Sequence, residues 1–217
     1  MRETGKRARR RISTEIKRVG PLRFIDVLAF RLYYRLFLAR QDRRWEEQKL
    51  EELRAIYPAL KDVPVLMTHS PNSEEAERFI KERRPDIMIA RCKSLLKETI
   101  FSIPTKGTLV MHPGICPEYR GNGDRSRVGM TMLRIDKGVD TGPVFGYYLY
   151  SGDDRHESHV VIQHRVVLDN LEAIGKKLHE IFLGEAVPID TKGRKSSTWG
   201  QPWLPKYLAW KSRARRG

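Results

Sequence analysis

The sequence predicts an α/β fold built on a parallel sheet, because short apolar runs alternate with helix-like stretches. The apolar runs at residues 63–67, 86–90 and 107–111 have the length of buried strands. A helix signal separates each run from the next. The order strand, helix, strand, helix, strand is typical of parallel sheets, whose strands need crossover connections.

The chain begins with two predicted helices. After Gly20 and Pro21, apolar residues recur at three- and four-residue steps to about residue 39, with arginines at polar positions. A basic amphipathic helix can lie on an anionic membrane surface, whereas an apolar stripe more often packs into a core. A second, more polar helix is predicted at 43–56, ending before Pro58.

Further elements follow from caps and breakers. Ser73 is a predicted N-cap for a helix at 74–80, with acidic residues in its first turn and Pro85 as its stop. A short helix is expected at 94–101, and two more strands at 129–135 and 143–149. A long helix is expected at 156–182, ending at Gly184.

Composition excludes several classes of protein. The chain has 217 residues, 40% of them hydrophobic and 32% charged, which is compatible with a packed core. Two cysteines are too few for a disulfide scaffold, and no apolar run reaches the length of a bilayer span. The N-terminus does not have the pattern of a secretory signal. We therefore expect a cytoplasmic protein without stable membrane insertion.

The net charge of +15 is concentrated at the two ends. Residues 1–18 carry eight basic side chains against two glutamates, and residues 192–217 carry eight with no acid. Such ends can bind tRNA or another anionic polymer through its phosphates, or they can be solvated segments that aid solubility. The sequence leaves both interpretations open.

One segment has the residues of a catalytic site. His112 follows a predicted central strand and precedes Pro113 and Gly114, so a rigid loop begins at the carboxyl end of the strand. Ligands bind at that end of open α/β sheets. Asp140 lies in a second glycine-flanked turn, where its carboxylate can orient an imidazole. A histidine and an aspartate without an obvious serine or cysteine partner indicate acid–base and oxyanion chemistry. Cys116 is an alternative nucleophile, although a cysteine in this setting is more often a packing residue.

This segment resembles the formyltransferase family that uses 10-formyltetrahydrofolate, which includes methionyl-tRNA, sugar-amine and glycinamide ribonucleotide formyltransferases. The resemblance covers roughly residues 62–185. It rests on these matches to the family pattern: His112-Pro113, Pro117, Tyr119-Arg120-Gly121, Gly129-Met130-Thr131 and Asp136-Lys137-Gly138-Val139-Asp140-Thr141-Gly142. It implies a Rossmann-like, mostly parallel sheet flanked by helices.

The resemblance also implies the roles of individual residues. His112 is expected to stabilise the oxyanion as an amine attacks the formyl carbon, and Asp140 to set the charge of His112 and relay a proton. The donor 10-formyltetrahydrofolate is expected to contact the loop after residue 90 and the later aspartate-rich turn. These cofactor-binding residues are Ala90, Arg91, Cys92, Leu95, Asp136 and Val139. No metal site is expected.

The sequence departs from the family at three places. Val110 occupies the position of the family's second oxyanion donor, an asparagine, and a valine cannot donate a hydrogen bond. Only residues 122–128 separate the Arg-Gly and Gly-x-Thr motifs, and the usual first strand with its turn is absent. These departures leave two hypotheses: an N-formyltransferase acting on a sugar amine or methionyl-tRNA, or a degenerate relative that binds folate or an anionic partner without turnover.

Taken together, the patterns predict four segments. Residues 1–20 form a basic arm, 21–60 a helical segment, 61–185 the formyltransferase-like α/β domain and 186–217 a basic aromatic tail. The sequence gives no indication of oligomeric state.

Overall fold

The computed structural model describes residues 13, 16–17, 20–92, 94–116, 129–152, 155–194 and 203–216. The helices and strands of this part of the chain, in order, are α1 (Pro21–Tyr33), a π-helical segment (Tyr34–Leu38), α2 (Ala39–Ile56), α3 (Glu74–Arg83), β1 (Met88–Ala90), α4 (Glu98–Phe101), β2 (Thr108–Pro113), β3 (Gly129–Arg134), β4 (Val144–Leu149), α5 (His159–Leu168), α6 (Leu171–Leu183) and α7 (Leu204–Arg216). The chain divides into two compact units. The first comprises Met1–Ala55, Asp153–Val161 and Gln201–Gly217, and the second comprises Ile56–Gly152 and Ile162–Gly200.

The core of the first unit is aromatic. Phe30 of α1 is 5% exposed and Tyr207 of α7 is 1% exposed, and their ring centroids lie 5.2 Å apart. The His159 ring lies 5.2 Å from Phe30 and 5.8 Å from Tyr207. Aromatic rings at these separations attract each other beyond the area that they bury. Residues far apart in the sequence therefore share one core.

A buried polar contact also stabilises the first unit. The Asp42 carboxylate is 6% exposed and accepts a hydrogen bond of 2.6 Å from the Ser158 hydroxyl. Burial and the neighbouring Asp42 raise the pKa of Tyr34 to about 12, so its hydroxyl stays protonated and able to donate.

The predicted break between two N-terminal helices is wrong, because helical backbone continues from α1 through the π segment into α2.

The second unit contains a four-stranded sheet in the order β1-β2-β3-β4. Strand β1 pairs with β2 in parallel, whereas the β2–β3 and β3–β4 pairs are antiparallel. The expectation of a mostly parallel sheet is therefore wrong: within the described residues the sheet is mixed and mostly antiparallel. Only the β1–β2 pair has the helical crossover, here α4, that parallel pairing needs.

The predicted strand at 63–67 is also wrong. This segment has no strand hydrogen bonding, and Val65 and Met67 are largely exposed. Its apolar composition is typical of a strand, but a strand forms only where a neighbouring chain supplies hydrogen-bond partners. Local composition does not carry that information.

The sheet has two different faces. The first packs against α5 and α6 to form the main core, whose buried members are Leu109, Met130, Met132, Phe145, Tyr148, Val166, Ile174 and Ile181. The opposite face carries a smaller apolar cluster of Cys116, Leu133 and Val144, against which Val110 and Tyr147 pack. Since residues two apart on a strand share a face, His112 lies on the same face as Val110.

The helical predictions are partly confirmed. Ser73 caps α3 by accepting a hydrogen bond of 3.2 Å from the Ala76 amide, and Gly184 ends α6 with a left-handed backbone. The single helix predicted at 156–182 is instead two helices, because the backbone leaves helical geometry at Asn170. The helix predicted at 94–101 is shortened to the four residues of α4. No described helix combines the length and the apolar character needed to cross a bilayer.

Candidate functional site

His112 is placed by strand β2, one residue before the end of the strand. It lies directly opposite Thr131 of β3 in the antiparallel register. The chain then turns at Gly114, whose φ of +114° belongs to the region that favours glycine. The loop that follows His112 is therefore bent back over the sheet.

Thr131 anchors this loop. Its buried hydroxyl donates a hydrogen bond of 2.6 Å to the Gly114 carbonyl and accepts one of 2.9 Å from the Cys116 amide. Gly129 permits the close packing, because a Cβ there would lie 2.6 Å from the Tyr148 carbonyl oxygen. The Gly129-Met130-Thr131 sequence thus fixes the backbone next to His112.

A second anchor comes from strand β4. The Tyr147 hydroxyl donates a hydrogen bond of 2.7 Å to the Cys116 carbonyl, and it accepts one of 2.6 Å from the Arg194 guanidinium. Arg194 also lies over the Tyr147 ring at 5.2 Å from its centroid. Three side-chain hydrogen bonds, from Thr131 and Tyr147, therefore hold Gly114 and Cys116.

Asp140 is presented by a tight turn between β3 and β4. The Asp136 carboxylate shapes this turn by accepting hydrogen bonds from the Gly138 amide at 2.9 Å and the Thr141 hydroxyl at 2.8 Å. Gly142 is required by space, since a Cβ there would lie 1.8 Å from the Arg134 carbonyl oxygen. Asp140 itself has a φ of +54°, an unfavourable value for a residue with a side chain.

The structure brings His112 and Asp140 together. Nδ1 of His112 lies 3.3 Å from Oδ1 of Asp140, and the two side chains are 20% and 23% exposed. Nε2 of His112 is buried and has no hydrogen-bond partner among the described residues. A carboxylate that holds Nδ1 fixes the ring orientation and leaves Nε2 for another group.

Beside this pair lies a cavity of about 440 Å³. Its walls come from the segment after β1, from α4, from Val110 and Leu133 of the sheet, and from the 135–140 turn, including Asp140. The sequence-predicted cofactor residues that line it are Ala90, Cys92, Leu95, Asp136 and Val139. Arg91 and His112 do not line the cavity. The turn and the segment after β1, which are remote in sequence, therefore face one space.

An ion pair lies among the residues of this cavity. The Lys137 ammonium is 3.1 Å from the Glu98 carboxylate, and both side chains line the cavity. Because both are more than half exposed, solvent screens their attraction and the pair contributes little to stability. Its charges remain available to a polar ligand.

Comparisons with known proteins give matches over part of the chain. No protein-family model matches the chain. The methionyl-tRNA formyltransferase of Kosmotoga olearia is 35% identical over 92 residues, which cover 38% of this chain and 29% of the relative. That of Thermotoga maritima is 34% identical over 93 residues, with the same shares. The chain thus spans less than a third of the length of these relatives.

Solved structures share the fold. A sugar N-formyltransferase from Shewanella sp FDAARGOS_354 matches with a TM-score of 0.50 and 16% identity, over 70% of this chain and 71% of that one. A HypX variant from Aquifex aeolicus matches with a TM-score of 0.50 and 20% identity, over 63% and 25%. Over its matching segment, the chain is therefore similar in sequence to methionyl-tRNA formyltransferases, and it shares its fold with a sugar N-formyltransferase.

Some residues of the formyltransferase-like motifs lie in the part of the chain that the structure describes, and others lie outside it. Gly129 to Thr131 and Asp136 to Gly142 lie in described loops and strands, where their glycines have steric reasons. The motif residues Pro117, Tyr119, Arg120 and Gly121 lie outside the described residues, as do Asn122 and Lys93. The candidate functional site is therefore defined by His112, Asp140 and the cavity.

Sequence reasoning missed several residues of this formyltransferase-like site. Thr131 was matched as a motif residue, but its double hydrogen bond depends on the β2–β3 register, which no local pattern reveals. Glu98, Phe101 and Leu133 line the cavity without any motif of their own. Among the described residues, no cluster of histidine, cysteine and carboxylate side chains could hold a metal ion.

Proposed function

We propose that this chain binds 10-formyltetrahydrofolate in the cavity beside Asp140 and transfers the formyl group to a primary amine. The observation that carries the proposal is the His112–Asp140 pair, held at 3.3 Å, with Asp140 in the wall of that cavity. The residues that the family resemblance assigns to folate binding line the same space, apart from Arg91.

The residues present fit a folate. A volume of about 440 Å³ lies within the usual range of small-molecule sites. Leu95, Leu96 and Val139 offer apolar surface for a flat ring, while Asp136, Asp140 and backbone groups offer polar partners for its edge. The bound donor would supply an activated formyl group.

The chain's own residues have distinct roles in this proposal. Asp140 holds Nδ1 of His112 and so keeps the imidazole in one orientation. Nε2 of His112 then carries the proton that meets negative charge on the reacting carbonyl oxygen. Asp140 also balances the positive charge of the imidazole while that proton is held. Thr131 and Tyr147 act as positioning residues, because they fix the loop next to His112.

The acceptor is a primary amine, and the relatives suggest two classes. The names of the relatives in sequence specify methionyl-tRNA, and that of the structural relative from Shewanella specifies a sugar. We favour a sugar amine. The matching part of the methionyl-tRNA enzymes is less than a third of their length, so their acceptor does not transfer with it.

Val110 favours a second candidate function, folate binding without turnover. Val110 lines the cavity on the face of His112, where a second donor would meet the developing charge. A site with one donor fewer is typically slower by about 10²–10³. Such a protein would bind a folate and act through that binding alone.

A binding titration followed by single-turnover transfer tests both functions. The full chain is titrated with 10-formyltetrahydrofolate and then mixed with a panel of sugar amines and methionyl-tRNA. We expect transfer that falls at least about a hundredfold in His112→Ala. The matched control is His179→Ala, an exposed histidine on α6. Binding without transfer would select the second function, and a chain that binds no folate would overturn both.

A further inference from the structure

Helix α1 and the π segment carry a face of large apolar side chains that the described residues leave uncovered. We call it the leucine stripe: Leu22, Ile25, Leu28, Leu32 and Leu36. Leu22 is 80% exposed and Leu36 is 65% exposed. Steps of three and four residues place all five on one side of the helix. A contiguous apolar surface of this kind marks a binding site more often than chance exposure.

The stripe is not a consequence of a detached helix. On the other side of α1, Val27 and Phe30 are each only 5% exposed, and Phe30 packs against Tyr207 and His159 of the same unit. The helix therefore has one apolar side in the core and a second apolar side facing outward. The core does not use the second side.

Positive charge borders the stripe. Arg31 and Arg35 are exposed and lie one turn apart, each three residues after a leucine of the stripe. Residues 20–40 contain four arginines and one aspartate. The surface therefore combines apolar contact with attraction for anions.

These two properties distinguish between possible occupants. A second copy of the chain would bring the same arginines against Arg31 and Arg35, which costs free energy through like-charge repulsion. Nucleic acid would bind the arginines through its phosphates, but it would make no favourable contact with five exposed aliphatic side chains. An anionic bilayer uses both, because leucines enter the acyl boundary while arginines contact lipid phosphates.

We propose that the leucine stripe docks this unit on an anionic lipid bilayer, with α1 and the π segment lying in the plane of the headgroups. The 18 residues from Pro21 to Leu38 span about 27 Å at 1.5 Å per residue. The stripe would sit about 5–10 Å into the headgroup region. This inference is independent of the proposed formyl transfer.

Vesicle co-sedimentation of the full chain tests the apolar half of the proposal. The vesicles contain phosphatidylcholine and phosphatidylserine at a ratio of about 7:3, with pure phosphatidylcholine for comparison. We expect Leu32→Glu and Leu36→Glu each to weaken binding by roughly tenfold or more, because each removes an exposed aliphatic side chain that the bilayer would bury. The matched control is Leu60→Glu, since Leu60 is 84% exposed but lies outside the stripe. Circular dichroism checks that each variant is folded.

A second set of variants tests the contribution of the arginines to vesicle binding. Arg31→Gln combined with Arg35→Gln should lower binding to the anionic vesicles by several-fold, while Arg54→Gln combined with Lys61→Gln should not. Equal binding by Leu32→Glu and the parent chain would overturn the proposal. So would a dimer in sedimentation velocity that Leu32→Glu abolishes without any vesicle binding. Binding to RNA with no binding to vesicles would also reject it.

Discussion

At the scale of single residues, Val110 is the position where this chain differs most consequentially from the formyltransferases that it resembles. It lies opposite Leu133 in the β2–β3 register and two residues before His112. Val110 contacts two different regions of the structure. It lines the cavity, and it also packs against the small cluster of Cys116, Leu133 and Val144. A substitution there affects both the chemistry and the packing.

We expect Val110→Asn to raise the rate of formyl transfer by up to about one or two powers of ten. The amide would supply a second donor on the face that carries His112. Its cost is about 1–3 kcal/mol of stability if the amide finds no partner in the apolar cluster. Single-turnover assays of the parent and the variant, with urea unfolding in parallel, measure both effects.

The double variant Val110→Asn with His112→Ala is the control for this prediction. If the two donors act on the same oxygen, the gain from asparagine should largely vanish without the histidine. A well-folded Val110→Asn with no gain in rate would show that this valine does not limit catalysis.

At the same scale, the sequence predicts the site best where a chemically reactive residue lies next to a turn that glycines hold in place. The proximity of His112 and Asp140 follows from their motifs. His112 lies near the end of a strand, just before the turn at Gly114, and Asp140 lies in a turn whose glycines have steric causes. The positioning role of Thr131 could not be read from the sequence. It depends on which strand pairs with β2 and in which register, and both are set by long-range packing.

At the scale of elements, the sequence predicted strands better than their pairing. Strands are present within the apolar runs at 129–135 and 143–149, and over the later residues of the run at 86–90. Alternating or continuous apolar patterns predict strands well because they reflect local burial. The relative direction of the strands could not be predicted from these patterns, because the antiparallel β2–β3 pairing joins residues that are remote in sequence. The apolar run at 63–67 shows the same limit: its composition suits a strand, yet it is exposed.

His159 makes the stability of the first unit depend on pH. Burial and, secondarily, the nearby Lys211 lower its pKa to about 4, whereas an unfolded histidine has a pKa near 6.5. Between these values the unfolded chain binds a proton that the folded chain does not. Stability is therefore full above about pH 6.5 and falls as the pH approaches 4, by up to about 3 kcal/mol.

We expect His159→Phe to flatten this dependence, because phenylalanine keeps the ring contacts with Phe30 and Tyr207 and cannot be protonated. Urea unfolding between pH 7 and pH 4, followed by tryptophan fluorescence, measures the effect; three of the four tryptophans lie in the first unit. His179→Phe, an exposed control, should leave the slope unchanged. An equally steep slope in His159→Phe would assign the pH dependence to other groups.

At the scale of the whole molecule, the two ends of the chain build one core. The sequence assigns residues 186–217 to a basic aromatic tail, and within them the structure contains helix α7. Tyr207 of α7 is 1% exposed and contacts the rings of Phe30, His159 and Trp210. Five of the eight basic residues of this end therefore belong to an element that the first unit needs for its core.

We expect Tyr207→Ala to destabilise the first unit by about 3–5 kcal/mol, the usual cost of removing a fully buried aromatic side chain. The matched control is Leu208→Ala, which removes a 44% exposed side chain from the same helix and should cost much less. The core of the second unit contains none of these rings, because its buried residues come from the sheet, α5 and α6.

Hydrogen exchange followed by mass spectrometry distinguishes the two cores. In Tyr207→Ala, amides of α1 and α2 should exchange faster by two orders of magnitude or more, since opening requires that much less free energy. Amides of β2, β3 and β4 should keep the protection of the parent chain. Equal loss of protection in the sheet would mean that the two units unfold as one, and that Tyr207 stabilises the entire chain rather than the unit in which it is buried.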